Sequence, residues 1–400
     1  MIAIGIDVSK GKSMIAAISA SRDILIAPRE FLHTKEGFDE LANTIHALGN
    51  NIKIVMEATG HYHEPVAKAL HEARFFVSVV HPLLVYSYSD NSVRRVKTDK
   101  KDSLKIARYC LDNWLLLREY VPQETVRQQL KLFSRQYNLC IKLVHTMENN
   151  LISLLDKTFP GAAKFFSSRK KKNGRQKWVD FAASFWHVDM VANITEDEFC
   201  QKYQHWCVSN NYKFTFEKAR EIWAGSQGHS TTLHMNDETR MLISSAVLQV
   251  TTIAGNLAQI RQRLVQLSSM LPEYEIVMSL YGVGELTAAQ LLAEIGDVRR
   301  FHSGRALIAF AGIDPLPRQS GTYEKRSVKT SKRGSAPLRK TLFQITVTHI
   351  RLSPEQEAVY QFIKRKRAEG KPYFVYMTAA ANKFLRIYYA RVKEYLDAAQ

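Results

Sequence analysis

Apolar residues alternate with small or polar ones in MIAIGIDVS at the start of the chain. The same period of two returns in SMIAAISA and DILIAPREFL, which the turn signal SRD joins. A meander of three strands is predicted. The spacing then lengthens to three and four in GFDELANTIHALG, which predicts a helix. NIKIVMEA reads as a buried strand, EPVAKALHEAR as a helix, FFVSVVHP as a strand and SLKIARYCLDNW as a helix, giving the order βββαβαβα. From about residue 125 one helical pattern runs through RQQLKLFSRQYNLCIKLVHTMENNLISLLDKTF and stops at Pro160-Gly161. Periodicity is faint from there until MLISSAVLQVTTIAGNLAQIRQRLVQLSSML, residues 241 to 271, where apolar positions again recur every three or four. Two long helices flanking an insertion predict a helical or coiled-coil stalk. The last third opens with SLYGVGELTAAQLLAEIG and is mostly helical, interrupted by a Gly- and Lys-rich loop from about 312 to 336.

The fold class expected is therefore α/β plus α. It divides into an α/β region at residues 1–125, a helical region at 126–272 with an insertion at about 161–240, and a mostly helical region at 273–400. Hydrophobic residues make up 46% and charged residues 24%, a balance that folds and that a disordered chain lacks. No apolar run is read as approaching the roughly 18 residues of a membrane span, and the chain begins directly with a strand-like segment, so a cytoplasmic protein is expected. Cys110, Cys140, Cys200 and Cys207 show no CxxC pairing and read as buried thiols. Trp178, Trp186, Trp206 and Trp223 mark the insertion as folded, and as core in preference to a base-stacking platform.

Charge turns the question toward function. Lys and Arg number 56 against 38 Asp and Glu, a formal +18, and this excess favours polyanions through phosphate contacts and counterion release. The cations cluster in SSRKKKNGRQK (167 to 177), RQSGTYEKRSVKTSKRGSAPLRK (318 to 340) and KRKR (364 to 367). One such run is usually a solvated face; three together favour binding to nucleic acid.

Against that field the acidic residues stand out. Asp7 sits near the end of the first strand and Glu57 ends the fourth, so in neighbouring strands both carboxylates would emerge at one edge. Asp99 and Asp102 open a helix, and their i, i+3 spacing puts both on one face. Each has a plainer reading, Asp102 as an N-cap and Asp99 as a surface charge. Four carboxylates from three elements would repel one another unless cations joined them, and two magnesium ions, which favour oxygen ligands, fit such a set. Paired ions about 4 Å apart stabilise both the attacking and the leaving oxygen of a phosphoryl transfer. Lys97, Lys100, Lys101 and Lys105 would draw a nucleic-acid backbone toward them. His61 and His63 read as packing or phosphate-contacting residues, because such sites favour carboxylates. Gly282 and Gly284 permit a tight hairpin before a helix N-terminus: either a helix-hairpin-helix element that grips duplex backbone or an ordinary turn.

GIDVSK, EATGHY and KTDKKDSLKIA, followed downstream by YGVGELTAAQLLAEIGDVRRF, AGIDPLPRQSG and SKRGSAPLR, resemble the transposases of the insertion sequence 110 family, in order and over nearly the whole chain. The insertion at about 161–240 is the least family-like part. The resemblance implies a RuvC-like, ribonuclease H-fold N-terminal domain with an acidic tetrad matching Asp7, Glu57, Asp99 and Asp102. It implies a coiled coil that supports assembly and a C-terminal transposase domain whose serine attacks DNA, matching Ser320 of RQSGT. Several members use a structured noncoding bridge RNA that pairs with donor and target DNA. Ser320 read alone is a serine in a turn beside glycine, with Ser331 and Ser335 as rivals. Arg318, Lys325, Arg326, Lys332 and Arg333 would supply cations at the reacting phosphate. Expected partners are DNA, a bridge RNA and further copies of the chain as a dimer or tetramer. The alternatives are a protein-guided invertase, a RuvC-like junction nuclease without a nucleophilic serine, and a catalytically idle nucleic-acid-binding scaffold.

Overall fold

The seven residues of β1 (Ile2–Val8), apolar apart from Gly5 and Asp7, become the middle of a sheet. The structure, a computed structural model, describes residues 1–58, 60–88, 99–122, 124–167, 171–315 and 330–399, with the backbone of 319–320 and 323–324. It divides into two compact units, Met1–Gln123 and Glu124–Gln400.

In the first unit β1 pairs antiparallel with β2 (Lys12–Ser19), which pairs antiparallel with β3 (Ile24–Leu32). After α1 (Lys35–His46) the chain returns as β4 (Ile52–Glu57), parallel to β1; after α2 (His63–Glu72) it adds β5 (Phe76–Val80), parallel to β4. The sheet order is β3-β2-β1-β4-β5. Alternation along the strands sends Ile4 and Ile6 with Ile54 and Met56 to one face, against Leu41 and Ile45 of α1 and Val66 and Leu70 of α2. Ala3 and Val55 point the other way and meet Ile106, Ala107 and Cys110 of α4 (Asp99–Asp112). A short α3 (Pro82–Ser87) precedes α4; at six residues it is too brief to leave a readable period. With that addition, the βββαβαβα order expected from the pattern is the order observed.

The second unit begins with α5 (Thr125–Thr158). Next come α6 (Lys177–Ser184), α7 (Asp189–Ala192), α8 (Glu196–Ser209), α9 (Phe216–Ser226) and the long α10 (Asp237–Ser269). Leu151 and Leu155, late in α5, pack with Ile243 and Val250, early in α10, whereas Leu130 shares a cluster with Leu264 and Leu267. The two helices are therefore antiparallel. The faint periodicity of the insertion reflects short helices that surround an aromatic core of Phe159, Phe181, Phe199, Tyr203 and Trp206. The Trp178, Trp206 and Trp223 indoles donate to Gln176, Ser184 and the Ile194 carbonyl, so these tryptophans pack as core. The remaining helices are α11 (Tyr274–Met278), α12 (Glu285–Ile295), α13 (Gly304–Ala311), α14 (Ala336–Leu352), α15 (Ala358–Ala368) and α16 (Tyr373–Ala398). They share one core, with Leu291, Leu292, Leu342, Ile345, Leu385 and Tyr388 at its centre. All four cysteines are free and buried.

The expectation that no stretch approaches membrane-spanning length fails for α10. By length and composition alone it is apolar enough to cross a bilayer, because no charged residue lies between Arg240 and Arg261. In the molecule it packs against α5, α6 and α12.

Candidate active site

Parallel pairing of Ile6 with Met56 carries the next residues, Asp7 and Glu57, to the carboxyl ends of two adjacent strands. Asp7 lies two residues beyond Gly5 and Glu57 two beyond Val55, so both side chains leave the sheet on the face that α4 covers. Gly5 sets how near α4 comes. A Cβ at this position would fall 2.1 Å from the Ser103 carbonyl oxygen and 2.3 Å from the Ala107 nitrogen, so the helix backbone rests directly on β1. Cys110 lies at the other end of the contact, donating to the Lys53 carbonyl at 3.4 Å near the start of β4. The helix runs antiparallel to the strands, and its first turn, bearing Asp99 and Asp102, arrives at the same edge as Asp7 and Glu57. Glu30, 2.7 Å from the exposed Lys12 ammonium, is the main cause that holds it above its ordinary value, and the Asp99 charge adds a smaller contribution.

Asp7, Glu57 and Asp102 are half-buried and Asp99 is exposed. The donor set is all carboxylate oxygen, the chemistry that suits a hard divalent cation such as magnesium. Among the described residues no three His, Cys, Asp or Glu side chains are drawn up to ligand spacing, so the tetrad shares an edge without closing into a shell. Lys100 and Lys101 are exposed on the first turn of α4, and Lys105 is half-buried. Lys97 lies outside the described residues. His61 packs against Tyr62 with ring centroids 4.4 Å apart.

In the second unit Ser320 ends β6 (Gln319–Ser320), which pairs with β7 (Tyr323–Glu324) in a ribbon joined to its base by the Pro315–Thr330 bridge. The Gly- and Lys-rich loop thus contains a two-stranded ribbon, too short at two residues a side to show alternation. Its base is fastened to α13 and α14: Lys332 N–H donates to the Gly312 carbonyl at 3.0 Å, Ser335 N–H to Phe310 at 2.8 Å, and the Arg339 guanidinium to Ala311 and Gly334 at 3.0 and 2.9 Å. Lys332 and Arg333 are exposed at that base. Arg318, Lys325 and Arg326 lie outside the described residues. The rival serines have other work. Ser335 caps α14 and donates to Glu294 at 2.8 Å, while Ser331 donates to Asp314. Sequence reading missed Glu294, which is 2% exposed and also lies 3.6 Å from Arg135; its signal was a lone acid inside the apolar run LLAEIG.

Gly282 takes a positive φ of 77° between α11 and α12, and Gly284 caps α12, its N–H donating to the Thr287 hydroxyl at 2.8 Å. A side chain at 282 would also press on the His349 ring, 3.2 Å away. A tight glycine turn therefore joins α11 to α12, as both readings of the spacing require.

Residues 4–160 match the DEDD transposase model of IS110, and residues 274–361 match the transposase model of the IS116/IS110/IS902 family. The first span holds all four carboxylates and the second holds Ser320; the insertion lies in neither. Over 371 residues the chain is 24% identical to the pilin gene-inverting protein of Moraxella bovis, covering 91% of this chain and 88% of that one. It is 22% identical to the mini-circle putative transposase for IS117 of Streptomyces coelicolor over 379 residues, 92% of this chain and 88% of that one. A shorter stretch of 87 residues is 34% identical to the transposase for IS1111A of Coxiella burnetii, covering 21% of this chain and 24% of that one. With both transposase segments present in order and relatives that align over nine-tenths of the chain, the chain belongs to the IS110 family of transposases.

Proposed function

We propose that this protein cleaves and exchanges DNA strands in a magnesium-dependent reaction that passes through a covalent linkage between Ser320 and DNA, with a bridge RNA selecting the partners. The observation that carries this reading is the arrival of Asp7, Glu57, Asp99 and Asp102, from separate segments, at one edge of a sheet in a transposase-family chain. The strand order, with three antiparallel strands followed by two parallel ones, supports taking the first unit as ribonuclease H-like.

The four carboxylates would hold the cations. Magnesium bound there supplies Lewis-acid stabilisation of phosphoryl oxygens. Lys100 and Lys101 on α4, and Lys332 and Arg333 beside the ribbon, hold the phosphate backbone by charge. The Gly282 hairpin offers α12 backbone amides to a phosphate without reading sequence. At Ser320 a bond forms from Oγ to phosphorus as the bond to a strand oxygen breaks; the serine proton leaves and the freed strand oxygen ends as a hydroxyl. The phosphoserine ester keeps the bond energy of the phosphodiester, so another strand's hydroxyl can reverse the step without ATP. Paired cleavage on two duplexes calls for more than one copy of the site and so for a homo-oligomer.

Nicking and strand transfer by the Asp7→Asn, Asp102→Asn and Ser320→Ala variants test this. All three are expected to lose strand transfer by at least about a hundredfold. A nuclease that survives Ser320→Ala overturns the covalent step, and metal-independent or absent cleavage in the parent overturns the enzyme reading. The second reading is protein-guided inversion, favoured by similarity to a pilin gene-inverting protein across 91% of the chain. Strand exchange that withstands ribonuclease treatment selects it.

A further inference from the structure

The insertion does more than pack on the two long helices: it closes one side of a cavity of about 260 Å³ against α5 and α10. Ile141 and Val144 of α5 and Leu257 of α10 give it an apolar floor. Its lid edge is the turn Lys171–Arg175, closed by Lys171 N–H to the Arg175 carbonyl at 2.8 Å and Gly174 N–H to the Lys171 carbonyl at 2.9 Å. The turn sits so close to α10 that a Cβ at Gly174, whose φ is +87°, would fall 2.4 Å from the Ala254 carbonyl oxygen. The turn thus rests directly on the helix backbone. Lys171 is fixed into the turn, donating to the Asn210 and Asn211 carbonyls at 3.3 and 3.2 Å and lying 3.8 Å above the Tyr212 ring.

Two exposed cations flank the mouth, Lys172 on the turn and Arg261 on α10. His145, which also lines the cavity, pairs with Glu148 at 3.3 Å, and Glu148 accepts from Gln176 at 2.6 Å. An apolar slot just below the size that encloses drug-like molecules, bordered by cations with no acid lining it, complements a flat base joined to phosphates.

We propose that this cavity binds one unpaired nucleotide of a single-stranded nucleic acid, the base on Ile141, Val144 and Leu257 and the flanking phosphates on Lys172 and Arg261. A duplex cannot use the slot, because its bases are stacked and paired. The site gives the insertion a task separate from strand chemistry, and it stands or falls independently of the carboxylates and Ser320.

The test uses the full chain with fluorescent ten-residue oligouridylate and oligothymidylate, an abasic decamer and a ten-base-pair duplex. Ala258→Trp fills the slot, and Lys172→Gln with Arg261→Gln removes the charges at exposed positions that leave the fold intact. Single-strand affinity is expected to fall about tenfold in Ala258→Trp, while the abasic decamer and the duplex change less than about twofold. Loss confined to the ribose strand, or to the deoxyribose strand, identifies which nucleic acid supplies the base. A duplex affinity that falls as far as the single-strand affinity in the charge variant, or unchanged single-strand affinity in a folded Ala258→Trp protein, overturns the proposal. A recombinase-dead protein that still shows the Ala258→Trp effect keeps it.

Discussion

A methyl group at Gly5 has nowhere to go, since the Ser103 carbonyl already occupies its place. Gly5→Ala is expected to push α4 off β1, to cost about 1 to 3 kcal/mol or more, and to carry Asp99 and Asp102 away from Asp7. A lowered denaturant midpoint, together with strand cleavage lost beyond what the unfolded fraction explains, would bear this out. The Arg127 guanidinium and the Glu273 carboxylate, 8% and 1% exposed, meet at 2.5 and 3.0 Å. Burial lowers the Arg127 pKa, but Glu273 outweighs it and leaves the guanidinium above its ordinary value. Glu273→Gln would leave the buried guanidinium only the exposed Glu124 carboxylate, 3.4 Å away, and is expected to cost about 3 to 5 kcal/mol by chemical denaturation. His349 is 1% exposed, and burial depresses its pKa despite the Glu357 carboxylate 3.1 Å away. An unfolded chain takes up this proton first as pH falls through about 6.5, so the native state loses stability from there downward until the folded imidazole itself titrates. The fall in Tm between pH 7.5 and 5.5 is therefore expected to be shallower in His349→Gln than in the parent.

At the scale of elements, the insertion carries its own aromatic core, with Tyr203 and Trp206 stacked at 5.5 Å and Phe181 edge-on to Trp206 at 5.8 Å. Phe181→Ala is expected to cost about 3 to 5 kcal/mol. Of the five tryptophans only Trp114 lies outside the insertion, so tryptophan fluorescence should report chiefly the unfolding of the insertion, and Phe181→Ala should lower its midpoint. Long elements were legible in the sequence: β1 and β4 as apolar runs of six or seven residues that stay buried almost throughout, α5 and α10 as apolar positions recurring every three or four residues. The insertion helices and the ribbon were not, because four to fourteen residues buried from several sides, or two residues paired to two, leave little periodic contrast. The apolar length of α10 went unnoticed for a related reason: serine, threonine and glycine break up its apolar run while no charge lowers its average.

Across the whole molecule the excess of cations governs affinity for polyanions. If about six phosphates are neutralised, DNA binding measured by anisotropy should weaken roughly a thousandfold between about 50 and 200 mM salt. Ser320→Ala should leave that slope unchanged, because it removes no charge.

The sequence by itself determined which residues carry charge, where strands and long helices run, and that Asp7, Glu57, Asp99 and Asp102 are placed at element ends. These follow from periods of two and 3.6 that any local window contains. Only the tertiary structure decided that the four acids share one edge, since parallel register between β1 and β4 and the seat of α4 over Gly5 join segments far apart in the chain. The nucleotide-sized cavity likewise needed three distant segments in contact, and no local pattern encodes a void.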